Sequence, residues 1–277
     1  MMTDKIYLQD ILRFSEDELK RVKIKFNQWN GRTDPLDKYI ENPDIVNNEW
    51  LFWREKRRYF SVGDIAVCLV QMRGDTWLLT AVKKVTRELN KIKGINYIGE
   101  DIDTLKSYFG RIIVKYHKKQ RGQCFKADTV LNDLEILQIL PNIYDGEEFS
   151  GYNNVRLSYV NLANIIARQK ASWIEALKNQ KAVYLITDTK TGKLYVGSAT
   201  GNEMLLQRWS NYVANGHGGN KELKKIVNEK GKDYVAQHFQ YTILENYNST
   251  VDDSIVINRE SYWKEVLCSR KFGYNAN

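Results

Sequence analysis

Two short apolar runs, Val183-Tyr184-Leu185 and Leu194-Tyr195-Val196-Gly197, flank the polar stretch Asp188-Thr189-Lys190-Thr191-Gly192. Period-2 alternation on both sides of a polar, Gly-containing loop is the signature of an antiparallel β-hairpin. A register with Tyr184 opposite Tyr195 and Thr187 opposite Gly192 leaves a four-residue loop. It also projects both phenols from one face, with Gly197 beyond Tyr195 on the same side. Tyrosines so placed commonly serve cross-strand packing, so any chemical role for them has to come from the rest of the chain.

The chain has 277 residues, a length that favours two domains. No run of apolar residues approaches the ~18 that a membrane span needs. The start, Met1-Met2-Thr3-Asp4-Lys5, lacks the hydrophobic region of an export signal. Cys68, Cys124 and Cys268 are far apart and odd in number, which argues against a disulfide framework and suits a reducing cytoplasm. No spacing between these cysteines and His117, His217 or His238 suggests zinc. A formal charge of +8 and a pI near 9.1 fit a polyanionic partner without requiring one.

In the first half, Ser15-Glu16-Asp17-Glu18 has the form of a capping box. Leu19, Val22, Phe26 and Trp29 follow at helical spacing, which predicts an amphipathic helix ending near Gly31. Pro35 and Pro43 bracket a segment with room for one short helix. From Trp50 the pattern reads as β, with aromatics and bases interleaved over 50–60. Runs at 64–71 and 77–86 form a predicted hairpin through Arg73-Gly74-Asp75; 111–116 and 134–140 read as further strands, with a helix around Ile102, Leu105 and Phe109. Strands at this spacing suggest a small, partly closed β-barrel. Trp50, Trp53, Tyr59 and Trp77 are candidate base-stacking residues for DNA, while His117-Lys118-Lys119-Gln120-Arg121 reads as an exposed loop.

A helical stretch at 158–178 carries Leu162, Ile165, Ile166, Trp173, Ile174 and Leu177. After the hairpin, Leu205, Trp209, Tyr212 and Val213 mark a helix on which Arg208 and Tyr212 share one side. A Gly-rich break around His217 separates it from a helix carrying Leu223, Ile226 and Val227, and 238–244 alternates as a third strand. In the last helix Val256, Glu260, Trp263 and Leu267 form one inward stripe. Glu260 thus stands where an apolar side chain is expected, and an inward carboxylate needs a cation, hydrogen-bond donors or a metal. An internal salt bridge to Arg208 or Arg259 would be enough. The tail reads Gly273-Tyr274-Asn275-Ala276-Asn277.

This ordered set resembles the GIY-YIG nuclease family over about 181–277. Tyr195-Val196-Gly197 differs from the second family motif by one residue, whereas Val183-Tyr184-Leu185 keeps only the tyrosine of the first. The resemblance implies hydrolysis of a DNA phosphodiester with one divalent metal, Mg²⁺ or Mn²⁺. It makes Glu260 the metal ligand, Arg208 the clamp on the scissile phosphate and Tyr184 the general base toward water. Tyr195 is then the base's partner, Tyr212 the residue four after the arginine, and Asn275 a site-organising amide. Lys193 could add positive charge, and His217 could match a further family histidine. The same turn and loop positions are as readily just solvated. A more distant resemblance links Phe60-Ser61-Val62-Gly63-Asp64-Ile65 to PUA-like barrels, some of which read modified or flipped bases.

The expected fold class is α+β. It comprises a DNA-recognition domain at 1–157, a helical connector at 158–180 and a nuclease domain at 181–277 built on a three-stranded antiparallel sheet. The expected activity is that of a cytoplasmic restriction or defence endonuclease acting on double-stranded DNA, in which a homodimer would serve double-strand cleavage. A homing-type or repair enzyme and a non-catalytic DNA-binding protein are the alternatives; an RNA substrate has less support.

Overall fold

The structure is a computed structural model that describes residues 5–119, 121–201 and 204–276. The chain start (1–4), Gln120 of the basic loop and Asn277 of the tail lie outside the described residues. The chain folds as two compact units, Met1–Asp145 and Gly146–Asn277, each of mixed α and β structure.

In the first unit α1 (Leu8–Leu12) and α2 (Glu16–Leu19) precede β1 (Val22–Asn27), and α3 (Pro35–Glu41) leads to a π-helical turn at Ile45–Trp50. Strands β2 (Trp53–Arg54), β3 (Ile65–Gln71), β4 (Thr76–Glu88), β5 (Gly94–Ile95) and β6 (Tyr97–Asp101) come next. After a 3₁₀ turn at Asp103–Tyr108 come β7 (Ile112–Lys115), β8 (Cys124–Lys126), α4 (Ala127–Val130) and β9 (Glu135–Ile139). Seven strands share one sheet, in the order β8-β1-β3-β4-β7-β9 with β6 also paired to β4; β2 and β5 pair apart from it.

The β3–β4 hairpin forms as expected. Strand β3 is apolar at every position but Gln71 because both faces are covered. Val67 and Leu69 face one cluster with Ile24, Phe26 and Trp77, whereas Ala66, Cys68 and Val70 face another with Phe52, Phe60 and Tyr97. Opposite Cys68 and Leu69 the register jumps from Ala81 to Leu79. This bulge at Thr80 is why the face pattern of β4 slips by one.

Three expectations for this half are corrected. The segment after Leu19 is strand β1, not a helix. Val22, Ile24 and Phe26 alternate into one cluster, and Trp29, which the helical reading counted as apolar face, is 63% exposed. Of 50–60 only Trp53–Arg54 is strand among the described residues; the segment begins helical and ends in bend and irregular backbone. The suggested barrel is an open, branched sheet, since no pairing joins β8 to β9 among the described residues.

The second unit contains β10 (Arg156–Ser158), α5 (Tyr159–Ala167), α6 (Ala171–Lys178), β11 (Gln180–Asp188), β12 (Leu194–Ala199) and α7 (Met204–Asn215). Then come α8 (Lys221–His238), β13 (Phe239–Asn248), α9 (Asp253–Val266) and α10 (Ser269–Phe272). The expected connector is part of this unit, because Leu162, Ile165, Trp173 and Leu177 lie in its core. The sheet has four strands rather than three, in the antiparallel order β10-β13-β11-β12. The extra strand, β10, is three residues long, too short for alternation to show in the sequence.

The hairpin is β11–β12, but its register differs from the expected one by two residues. Tyr184 pairs with Gly197 and Tyr195 with Ile186. Asp188 sets the longer loop: its Oδ1 accepts the N–H of Lys190 at 3.0 Å and of Thr191 at 3.3 Å, while its carbonyl accepts Gly192 N–H at 2.8 Å. Gly192 sits at φ +73°, where glycine carries no steric penalty. A two-residue shift preserves parity, so both tyrosines remain on one face. That face joins the core with Trp209, Tyr212 and Tyr241. The opposite face, through Val183 and Val196, packs on Val256, Trp263 and Leu267 of α9 and the residue after it.

Candidate active site

On the core side of the hairpin, Tyr184, Arg208 and Tyr212 form one hydrogen-bonded group. Arg208 Nε donates to the Tyr184 hydroxyl at 2.9 Å, and the hydroxyls of Tyr184 and Tyr212 lie 3.0 Å apart. Arg208 Nη1 donates to Gly218 O at 3.3 Å, and its guanidinium lies 5.7 Å from the Tyr212 ring centre. Nη2 makes no hydrogen bond among the described residues, which leaves it available to an anionic oxygen. The Tyr195 ring packs edge-on to Tyr212 at 6.3 Å. Local sequence explains the closeness: Gly197 and Gly218 lack the Cβ atoms that would overlap the rings of Tyr184 and Tyr212 respectively.

Burial governs the electrostatics here. It raises the pKa of Tyr184 and Tyr212; Tyr195 adds to both shifts, Tyr184 adds to that of Tyr212, and Arg208 opposes both. Burial also works against the charge of Arg208, but the phenols of Tyr184 and Tyr212 more than offset this and raise its pKa. The result is a neutral phenol pair around a fixed cation. The face that Tyr184 and Tyr195 share is closed to solvent: Tyr184 is 0% and Tyr195 5% exposed. A phenol held protonated in this way is poorly placed to act as a general base at neutral pH.

Glu260 lies on the other side of the hairpin. Its Oε2 accepts the Ser198 hydroxyl and its Oε1 pairs with Lys264 Nζ at 2.8 Å. Ser198 follows Gly197 and therefore points to the opposite face. The inward position of Glu260 on α9 is observed. Its ion-pair partner is Lys264, one helical turn on, rather than Arg208 or Arg259; Arg259 instead grips Glu245 through Nε at 3.0 and 2.9 Å and through Nη2. No hydrogen bond or ion pair joins Glu260 to the phenol group among the described residues. The two halves of the expected site thus flank β12, which is an edge strand.

Asn275 is buried against that edge. Its Oδ1 accepts Val196 N–H and its Nδ2 donates to Val196 O, both at 2.8 Å, while Tyr274 N–H donates to Leu194 O at 2.8 Å. The amide therefore imitates a strand and holds β12 in place. Tyr274 also donates through its hydroxyl to Asp188 Oδ2 at 2.7 Å, and Tyr234 does so at 2.9 Å.

Lys193 is exposed in the turn, with Nζ 5.6 Å from the Tyr274 ring centre. His217 sits in the loop after α7, its Nδ1 accepting Gly219 N–H at 3.0 Å, next to the Gly218 that contacts Arg208 and Tyr212. Ser198 and Lys264 add to the residues expected from sequence. Their signals are the position directly after the Tyr195-Val196-Gly197 motif and the i, i+4 spacing of Lys264 from Glu260.

The donor set suits a hard divalent cation, since it offers one carboxylate and one hydroxyl, both oxygen ligands. The ammonium of Lys264 shows that this side of Glu260 accommodates a cation. Among the described residues no group of three or more His, Cys, Asp or Glu side chains is arranged to hold a metal.

In the first unit, Trp50, Trp53, Tyr59 and Trp77 do not line one pocket. Trp77 is buried in one cluster, with Nε1 donating to Tyr116 O at 3.0 Å, while Trp50 and Tyr59 pack against the cluster on the other sheet face. Trp53 is 45% exposed. Gly94–Gly99 forms β5 and part of β6, with Tyr97 in the core of the first unit.

No protein-family profile matches the chain. Two solved structures are similar to it: the catalytic domain of the intron endonuclease I-TevI in a mutant form, and the catalytic domain of the homing endonuclease I-TevI. Each is 28% identical at a TM-score of 0.28, covering 35% of this chain and 94% and 98% of the respective solved chain. No helix is long and apolar enough to cross a membrane among the described residues.

Proposed function

We propose that the second unit is a GIY-YIG-type endonuclease module that hydrolyses DNA phosphodiesters, and that the first unit selects where it acts. The order of Tyr184, Tyr195, Arg208, Glu260 and Asn275 supports this reading. The single observation that carries it is the immobilised arginine, held through Nε and Nη1 while Nη2 remains uncommitted. A guanidinium fixed in advance stabilises charge developing on a phosphate without reorganising during the reaction.

In this reading Tyr184 and Tyr212 are positioning residues that hold Arg208. Asn275 is a positioning residue for β12, the strand that separates the arginine from the carboxylate. A scissile phosphate lying at the β12 edge would meet Arg208 from one face and the Glu260 side from the other. Glu260 and Ser198 would hold a divalent cation such as Mg²⁺ or Mn²⁺, which when bound supplies Lewis-acid charge and a more acidic water. Lys264 orients the Glu260 carboxylate. The biological setting we favour is restriction or defence, with double-stranded DNA as the substrate. Cleavage of unmodified, methylated and hydroxymethylated duplexes, compared side by side, reads out any preference for modified bases.

The experiment that tests the activity is a supercoiled-plasmid nicking assay with Mg²⁺. Wild type is expected to nick, and Glu260→Ala and Arg208→Ala are each expected to lose roughly 100-fold or more, as when one preorganised transition-state contact is removed. Variants that cut like wild type would show that the site is assigned wrongly.

A further inference from the structure

The first unit contains a cavity of about 520 Å³ lined by Lys23, Arg57, Arg58, Tyr59, Phe125 and Lys126, among others. That volume lies within the roughly 300–1,000 Å³ usual for ligand sites. Four cations line it and no carboxylate does. Lys23 is neutralised by Asp64 at 2.6 Å and Arg58 by Glu88. Arg57 and Lys126 pair with no carboxylate among the described residues.

Strand register sharpens the point. Lys23 of β1 stands directly opposite Lys126 of β8 in an antiparallel pair. Like charges in that relation destabilise a sheet; Asp64 answers the charge of Lys23, so Lys126 is the member of the pair left without a carboxylate among the described residues. A second cavity of about 410 Å³ is lined by Lys118, Lys119, Arg121 and Trp77, among others. Its one lining carboxylate, Asp75, is already engaged by His117 Nδ1 at 3.0 Å. Gly122, Cys124, Phe125 and Lys126 line the first cavity and Lys118, Lys119 and Arg121 the second, so neighbouring stretches of one chain segment supply both linings.

We infer that these two basic cavities act as one trough, the DNA-contact surface of the first unit, which binds the phosphates of duplex DNA. The inference rests on the nuclease reading of the second unit for the identity of the polyanion. Arg57 and Lys126 contact phosphate directly. Lys118, Lys119 and Arg121 extend the track, while Lys23 and Arg58 remain tied to their carboxylates and shape the wall.

The test is equilibrium binding of the full-length chain to a short labelled duplex, in EDTA, across a salt series. Arg57→Ala/Lys126→Ala is compared with Lys20→Ala/Lys106→Ala, which removes the same charge from exposed sites outside the trough. Trough substitution is expected to weaken binding about tenfold and to reduce the salt slope by about two phosphate contacts, with the control pair unchanged. Equal losses in both pairs, or no loss in the trough pair, would overturn the inference. So would tighter binding to single-stranded RNA, or full competition by inorganic phosphate. Melting curves of both double variants verify folding. Wild-type plasmid nicking separates the two ideas: nicking with trough-independent DNA affinity removes this inference alone, whereas a wild type that neither nicks nor binds DNA removes both.

Discussion

The two faces of the β11–β12 hairpin hold their polar groups by different physics. On the core face, Tyr184, Tyr212 and Arg208 are fixed by burial, tight ring packing and neutral oxygens that accept from the guanidinium. On the α9 face, Glu260 and Glu245 are fixed by ion pairs, to the buried Lys264 and to the partly exposed Arg259. A preorganised cation belongs in a rigid, dry setting, where it costs no rearrangement on binding substrate. The Glu260 carboxylate is held instead by one charged and one neutral donor, Lys264 and the Ser198 hydroxyl. One strand, β12, serves both faces because consecutive side chains point in opposite directions.

Adjacent residues on β12 test that contrast most strongly. Gly197→Ala should collide with the Tyr184 ring and cost about 1–3 kcal/mol, as overpacking does in a tight core. Ser198→Ala, on the other face, removes one hydrogen bond to Glu260 and should cost under about 1 kcal/mol. Chemical denaturation of the two variants measures both, and equal costs would erase the distinction between the faces.

Tyr184→Phe should have a smaller effect than Gly197→Ala. It deletes the acceptor of Arg208 Nε, leaving a half-buried donor unmatched at about 1–2 kcal/mol. Nicking should fall with it because the arginine loses its anchor. Denaturation together with a nicking time course would reveal a variant that keeps stability and activity, which would remove the positioning role.

Much of the fold is legible in the sequence because it rests on local periodicity. The β3–β4 hairpin, the helices at 159–178, α7, α8 and the inward stripe of α9 all follow from apolar spacing. Strand β1 is masked because Leu19, Val22, Phe26 and Trp29 mimic a helical stripe, while the true signal, Val22-Lys23-Ile24-Lys25-Phe26, alternates with lysines. One of those lysines, Lys25, is buried, its Nζ donating to Leu51 O at 3.1 Å and Trp53 O at 3.0 Å; such a partner cannot be read from sequence. The site residues are legible as an ordered set. Their division between two faces is not, because it depends on which helix covers which side of the sheet. The hairpin register is equally hidden, since Asp188 builds its loop through hydrogen bonds with its own backbone neighbours.

The smallest expected effect is a pH dependence confined to the ionic face. Hydrogen bonds from Arg259, with lesser help from Tyr247 and Trp263, hold the Glu245 carboxyl at about 2, below its ordinary 4.5. A depressed carboxyl pKa contributes stability that is complete above the unfolded value and is lost as pH falls from there through the folded value. Glu245→Gln should therefore lower the melting temperature most above about pH 5, with the gap to wild type narrowing below that and closing only toward about pH 2. Thermal melts across that range check it. A gap that stays constant would mean that shape, not charge, holds Arg259.

The central claim is that both faces of β12 serve one phosphate. The most direct measurement is a double-mutant cycle in the Mg²⁺ plasmid-nicking assay with Arg208→Ala, Glu260→Ala and the combined variant. Groups acting as one unit are strongly non-additive, so the combined variant should nick no more slowly than the slower single variant. If the two losses multiply, or if either single variant cuts at the wild-type rate, the arginine and the carboxylate do not share a site.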